Sequence, residues 1–298
     1  MAKLVECVPN FSEGRRPEVI EEIVRAIKAV EGVKLLDYSN DESHNRSVVT
    51  FIGEPGPVKE AAFRSAQKAA ELIDMSRHEG GHPRMGAADV IPFVPVSGVD
   101  MKECVAMANE LGRRLAEELK IPVYLYEEAA ARPERKNLSD VRRGQYEGLI
   151  EAIKEPGREP DFGPAEVNLR AGVTAVGARP PLIAYNINLD TGEVEIAKKI
   201  ARAIRGSSGG FPTIKGLGIY IEETGKAQVT INVCDYKKVP LHRVFELVKL
   251  EAARYGVGVT DSEIVGLTPL EALIDAAEFY LQLSGLDSRQ ILENRLLE

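Results

Sequence analysis

Apolar positions along this chain change their period in a regular order, and that order predicts the fold. Val19, Ile20, Ile23, Val24 and Ile27 recur every three or four positions behind Pro17, which predicts an amphipathic helix over residues 17–30. Short runs rich in Val, Ile, Leu and Phe surround it. Strands are expected over 4–8, 33–38 and 47–52, the last two separated by a polar loop over 39–46. A helix over 57–73 and a strand over 90–96 complete the order β-α-β-β-α-β, the signature of a ferredoxin-like unit. A helix over 101–119, a strand over 123–126 and a helix over 146–153 extend this half. Residues 154–181 then break the rhythm with Pro156, Pro160, Pro164 and several glycines, and read as a linker or ligand loop. After it the same order recurs: strand 182–189, helix 194–204, strands 216–222 and 227–233, helix 241–255, strand 257–265 and helix 269–281. The expected class is α+β, with two ferredoxin-like (βαββαβ) subdomains, 1–180 and 181–298, and a ligand cleft between them.

Composition narrows the function classes. A length of 298 residues suffices for two cores of this kind. With 46 acidic against 38 basic side chains the net charge is -8, so no general attraction for nucleic acid or an anionic membrane is expected. The N-terminus lacks an apolar signal core, and no apolar run approaches the ~20 residues of a membrane span. A cytoplasmic protein is the expectation. Cys7, Cys104 and Cys234 are far apart, without metal-ligand spacing, and read as small apolar groups in a reducing compartment, with no metal site. Gly206, Ser207, Ser208, Gly209 and Gly210 are not followed by the lysine pair of a nucleotide loop, so no nucleotide is expected either.

Chemistry concentrates between Arg77 and Asp89, which holds two of the four histidines, His78 and His82. Gly80, Gly81 and Pro83 prevent a helix through His82, so a loop presents that ring. An imidazole with an unperturbed pKa of ~6.5 can take a proton and return it without a large penalty in either state. His78 reads as loop support, His44 lies in the polar loop between two strands, and His242 reads as a surface or capping residue. The charge runs 132–136 and 142–143 read as solvated faces with no part in a site.

Several ordered motifs carry a family resemblance. They are Leu4-Val5-Glu6-Cys7-Val8-Pro9-Asn10-Phe11-Ser12-Glu13-Gly14, Asn45-Arg46, Asp74-Met75-Ser76-Arg77-His78, His82-Pro83-Arg84-Met85-Gly86, Pro122-Val123-Tyr124-Leu125-Tyr126, Pro160-Asp161-Phe162-Gly163-Pro164 and Asn186-Ile187-Asn188-Leu189. Together they resemble the glutamate formiminotransferase family over nearly the whole chain, both its stand-alone microbial form and the transferase half of the animal enzyme fused to a cyclodeaminase. The resemblance implies transfer of the formimino group of N-formimino-L-glutamate to nitrogen 5 of tetrahydrofolate. Tetrahydrofolate then serves as acceptor substrate, bound between two ferredoxin-like subdomains of a homodimer, and any cyclodeaminase would be a separate polypeptide.

The resemblance also implies residue roles. His82 stands at the family's proton-transfer position, and Gly163-Pro164-Ala165-Glu166-Val167-Asn168-Leu169-Arg170-Ala171-Gly172 corresponds to its folate-binding stretch, where the pterin would be read through backbone amides and carbonyls. Asp37, His44, Asn45, Arg46, Arg84 and Arg179 are the candidates for substrate binding or support, the arginines because both substrates carry glutamate carboxylates. Animal relatives carry an acid where this chain has Ser39, which leaves Asp37 or Asp41 to orient His82. Formyl transfer with 5-formyltetrahydrofolate, formiminoglycine as donor, and a folate-binding protein without turnover are the alternatives.

Overall fold

In the computed structural model, which describes residues 2–296, Pro9 interrupts the first strand because it has no N–H to give to a ladder. Its two parts, β1 (Leu4–Cys7) and β2 (Asn10–Phe11), both pair antiparallel with β4 (Arg46–Gly53) on one side and β5 (Ala88–Ser97) on the other. β3 (Val33–Asp41) is the edge beyond β4. With α1 (Pro17–Lys28) and α2 (Pro55–Leu72), these elements give the expected ferredoxin-like order, first strand in the middle. Pro17 sits at the first turn of α1, where a missing N–H costs nothing, and the five apolar positions behind it are all buried. α3 (Met101–Leu119) starts from a capping box in which Asp100 and Glu103 each accept the other's backbone N–H.

Beyond β5 the sheet continues with parallel strands. β7 (Thr174–Ala178) pairs with β5, and β6 (Val123–Glu127) pairs with β7. One face of the sheet packs Cys7, Val49, Phe51, Ile91 and Phe93 into the core beneath the helices. On the second face, α4 (Leu138–Val141), α5 (Gln145–Ala152) and the chain around them join the core through Val141, Tyr146 and Leu149. Tyr124 of β6 is held there by its hydroxyl, which donates to the Arg158 carbonyl, and by the Arg135 guanidinium 5.0 Å from its ring centre.

The second unit repeats the arrangement by itself. β8 (Ile183–Leu189), α6 (Val194–Ile204), β9 (Ile214–Ile221), β10 (Lys226–Val233), α7 (Leu241–Ala253) and β11 (Val259–Val265) give an antiparallel sheet ordered β11-β8-β10-β9. Alternation does the work here: Ile183, Tyr185, Ile187 and Leu189 point into the core, and their neighbours on β8 do not. α8 (Leu270–Leu281) and the short α9 (Leu292–Leu296) follow. The chain divides into units Met1–Pro180 and Pro181–Glu298. No helix among the described residues is long and apolar enough to cross a membrane.

Two expectations need correction. The stretch 154–181 is more than a linker, because Thr174–Ala178 is a fully buried strand in the middle of the sheet. It escapes pattern reading because its side chains are small: Gly177 faces the Tyr126 ring, where a Cβ would lie 2.5 Å from a ring carbon. The polar loop over 39–46 is also shorter than expected, since β3 runs on to Asp41 and only a four-residue turn, 42–45, remains.

Gly172 offers a test of how tightly this region is closed. It has φ +73, and a Cβ there would lie 2.2 Å from the Met85 carbonyl oxygen. Gly172→Ala is therefore expected to lower stability by more than about 2 kcal/mol in urea melts. Gly148→Ala, in α5 with open space around it, should be neutral or raise stability by up to about 1 kcal/mol.

Candidate active site

A bulge in β3 decides which side chains reach the second face. Leu35 pairs with Phe51 and Asp37 with Thr50, so Leu36 is the extra residue and the alternation shifts by one. Tyr38 then turns towards α1, where its hydroxyl donates to Glu21. Asp37, Ser39 and Asp41 turn to the second face, opposite Thr50, Val48 and Arg46. Asn10 of β2, across from Val48, joins them. Asp37 and Asp41 are four residues apart, roughly 13 Å along a strand. Among the described residues Asp41 contacts His44, and no hydrogen bond or ion pair joins Asp37 to a histidine of this region.

The 42–45 turn and the His82 loop are built against each other. Asn45 adopts φ 49, a left-handed conformation that asparagine tolerates, and its buried amide bridges two segments. Its Oδ1 accepts the Gly14 N–H (2.9 Å) and its Nδ2 donates to the Glu79 carbonyl (2.8 Å). Gly80 must lack a side chain, because a Cβ would lie 2.4 Å from the His44 carbonyl oxygen. The Gly81 N–H donates to the Ser43 carbonyl at 3.3 Å. His78 has both ring nitrogens engaged: Nε2 meets the Asn45 carbonyl at 3.1 Å, and Nδ1 accepts from Arg84 Nε at 3.2 Å. Because Arg84 can only donate, Nδ1 is the bare nitrogen, and burial holds the ring neutral by lowering its pKa. Arg84 is spent on the same scaffold, donating to the His78 carbonyl, to Gln145 and in a fork to both carboxylate oxygens of Glu147 (2.8 and 2.5 Å). It supports the loop and has no fork left for a ligand.

His82 stands where this scaffold meets the second sheet face. Arg46 Nη1 approaches its Nε2 at 3.1 Å, so Nε2 accepts and Nδ1 carries the proton. The same Nη1 donates to Asn10 Oδ1 at 3.4 Å. The His44 ring lies edge-on to His82, centres 6.1 Å apart, and its Nδ1 is 2.7 Å from Asp41 Oδ2. Burial pushes Asp41 up, but the amide and ring of His44 together hold it below its ordinary value. For His82, burial is the largest influence and the positive charges of Arg46 and then Arg142 add to it, lowering its pKa to about 3.

Arg142 was missed by pattern reading, which placed 142–143 on a solvated face. It pairs with Asp89, an acid buried at the start of β5 whose other oxygen accepts the Met85 N–H at 2.8 Å. Arg135, in the other charge run, is likewise buried and pairs with Asp161 at 2.8 Å. Nothing in local composition separates a buried arginine from a solvated one; the carboxylates that hold these lie 53 and 26 positions away in sequence.

The remaining candidates are spread over the same unit. Arg179 follows β7, donates to the Pro180 carbonyl and offsets part of the upward push that burial gives Glu6. The stretch 163–172 splits in two. From Asn168 onward it is stitched to the His82 loop: the Val173 N–H donates to Met85, the Ala87 N–H to Ala171, and the Met75 N–H to Arg170. Asn168 Oδ1 accepts the N–H groups of Arg170 and Ala171. Those backbone groups serve the fold. Gly163, Pro164, Ala165 and Glu166 are exposed. His242 lies in the second unit, stacked on Phe279 with ring centres 4.4 Å apart.

Comparison with known proteins agrees with this layout. A profile of the formiminotransferase domain, N-terminal subdomain, matches residues 4–179, and one of the formiminotransferase domain matches 184–295. The chain belongs to the formiminotransferase family. It is 52% identical over 298 residues to the glutamate formimidoyltransferase of Streptococcus pyogenes serotype M1, covering all of both chains. A glutamate formimidoyltransferase of Thermoplasma acidophilum is 52% identical over 295 residues, 98% of this chain and 97% of that one. The mouse formimidoyltransferase-cyclodeaminase is 49% identical over 286 residues, 94% of this chain but 53% of the mouse protein.

The histidine's depressed pKa has a measurable consequence. Between pH 6.5 and about 3 the unfolded chain binds a proton at position 82 that the folded chain refuses, so this stability is present above 6.5 and lost as pH falls through that window. His78 and His242 are lowered too and act in the same sense. Urea melts of wild type and His82→Asn should therefore converge on acidification, or the variant should overtake. A difference that stays constant from pH 7 to 4 would mean the ring is not desolvated.

Proposed function

We propose that this chain is a glutamate formimidoyltransferase, moving the formimino group of N-formimino-L-glutamate to nitrogen 5 of tetrahydrofolate. The observation that carries the reading is the end-to-end 52% identity to proteins of that name from a bacterium and an archaeon. The reaction exchanges one carbon–nitrogen bond for another. Nitrogen 5 attacks the amidine carbon and gives up its proton, and the glutamate nitrogen gains a proton as its bond to carbon breaks. One imidazole that accepts and then donates balances both steps.

His82 is the group suited to that shuttle. Its loop is braced by Arg84 and His78, its ring is neutral, and its one bare nitrogen is Nε2. Asp41, bonded to His44, and the His44 ring beside His82 are the groups assigned to orienting it, and among the described residues no hydrogen bond or ion pair joins Asp37 to it. The exposed main chain of 163–166 is what the folate-binding stretch has left to offer a pterin. Arg46 and Arg179 are the remaining cations for glutamate carboxylates. Buried thiols at Cys7 and Cys104, the latter pushed up to about 12, fit a reducing cytoplasmic setting and take no part in the chemistry.

Purified protein mixed with tetrahydrofolate and formiminoglutamate should yield 5-formiminotetrahydrofolate, identified by mass, and free glutamate. His82→Gln should keep tetrahydrofolate binding within about twofold and lower kcat by roughly 100-fold or more. Full turnover in that variant would remove the histidine from the mechanism, and absence of any pterin product in wild type would remove the reaction.

A further inference from the structure

Arg46 is a cation with no direct ion pair among the described residues. Its side chain is largely buried, yet its contacts are both neutral: His82 Nε2 at 3.1 Å and Asn10 Oδ1 at 3.4 Å. Among the described residues no carboxylate lies within ion-pair distance of it. Asp41 is committed to the ring and amide of His44, and Asp89 to Arg142 and the Met85 N–H. Burial depresses the pKa of Arg46 most and the charge of Arg142 adds to it, while Asp41 and Asp89 offset part of this without contacting it. The Nε atoms of Arg46 and Arg142 are both buried without a hydrogen-bond partner. Two guanidinium groups with unused donors, both acting on His82, are poorly satisfied by the protein alone.

We propose that Arg46 and Arg142 form a carboxylate subsite for the amino-acid donor, and that filling it draws Arg46 away from His82 and so exposes the Nε2 lone pair. This rests on the formimidoyltransferase reading above. A carboxylate between the two forks accepts N–H groups from both and supplies the missing negative charge. It also separates His82 from the contact that occupies its bare nitrogen. The groups that face the ring are Arg46, Arg142, His44 and Asp41. A bound carboxylate offsets the first two and leaves the others in place, so the imidazole regains proton affinity only when donor is present. The fold thereby keeps its base idle until there is something to deprotonate for.

The test uses the full-length protein and two carboxylate probes. Imidazole nitrogen NMR should follow His82 titrating near pH 3 without ligand and at least one unit higher with saturating L-glutamate, a tenfold gain in proton affinity. p-Aminobenzoylglutamate, which carries the folate tail, should leave His82 unmoved; if it alone produces the shift, the subsite serves the folate tail and the donor assignment fails. Arg142→Lys keeps a charge for Asp89 but loses the fork. It should raise the donor KM roughly tenfold while the tetrahydrofolate KM stays within about twofold. A wild-type enzyme that transfers formimino groups while its His82 titration ignores glutamate would overturn the subsite and leave the reaction standing. Absence of transfer would instead overturn the reaction first.

Discussion

The His82 loop is held by a backbone pairing that leaves no room for side chains. Met85, Gly86 and Ala87 run against Ala171, Gly172 and Val173, and a Cβ on Gly86 or Gly172 would lie 2.2 Å from a carbonyl oxygen of the opposite segment. Two segments nearly ninety positions apart are thereby fixed to each other at the mouth of β5 and β7. The catalytic candidate on one and the folate-stretch candidate on the other inherit that fixed relation. Without the pairing, a loop holding two glycines and a proline would have no defined geometry to present.

Electrostatics is the second layer, and it follows from where the loop is pinned. Holding His82 beside the second face of the sheet brings it under Arg46 from β4 and Arg142 from the turn between α4 and α5. Both are required elsewhere in part: Arg142 neutralises the buried Asp89, which in turn caps the Met85 N–H of the same loop. The scaffold and the charge pattern are therefore one network. A change made to tune the histidine disturbs the loop, and a change made to the loop retunes the histidine.

A good deal of this was legible in the chain. Period-3.6 runs such as Val19 to Ile27 and the alternation of Ile183 to Leu189 report burial directly, and the β-α-β-β-α-β order follows from them. The candidate site was legible in two ways: paired glycines and a proline around His82 mark a loop, and the family motifs run across it. Asp37 and Asp41 both reach the second face because of the single bulge at Leu36, which no local preference announces, and of the two only Asp41 bonds to a histidine, His44, among the described residues.

Residue order by itself determined most element types, the duplication of the unit and the loop that carries His82, because these depend on local periodicity and local backbone freedom. Tertiary structure alone decided that Thr174 to Ala178 is a central strand, that Arg142 is a buried partner, that Arg84 is spent on Glu147 and that Arg46 rests on the imidazole. Each of these is a pairing across a long stretch of chain. Burial and charge depend on what arrives from elsewhere in the fold, and no window of neighbouring residues contains that information.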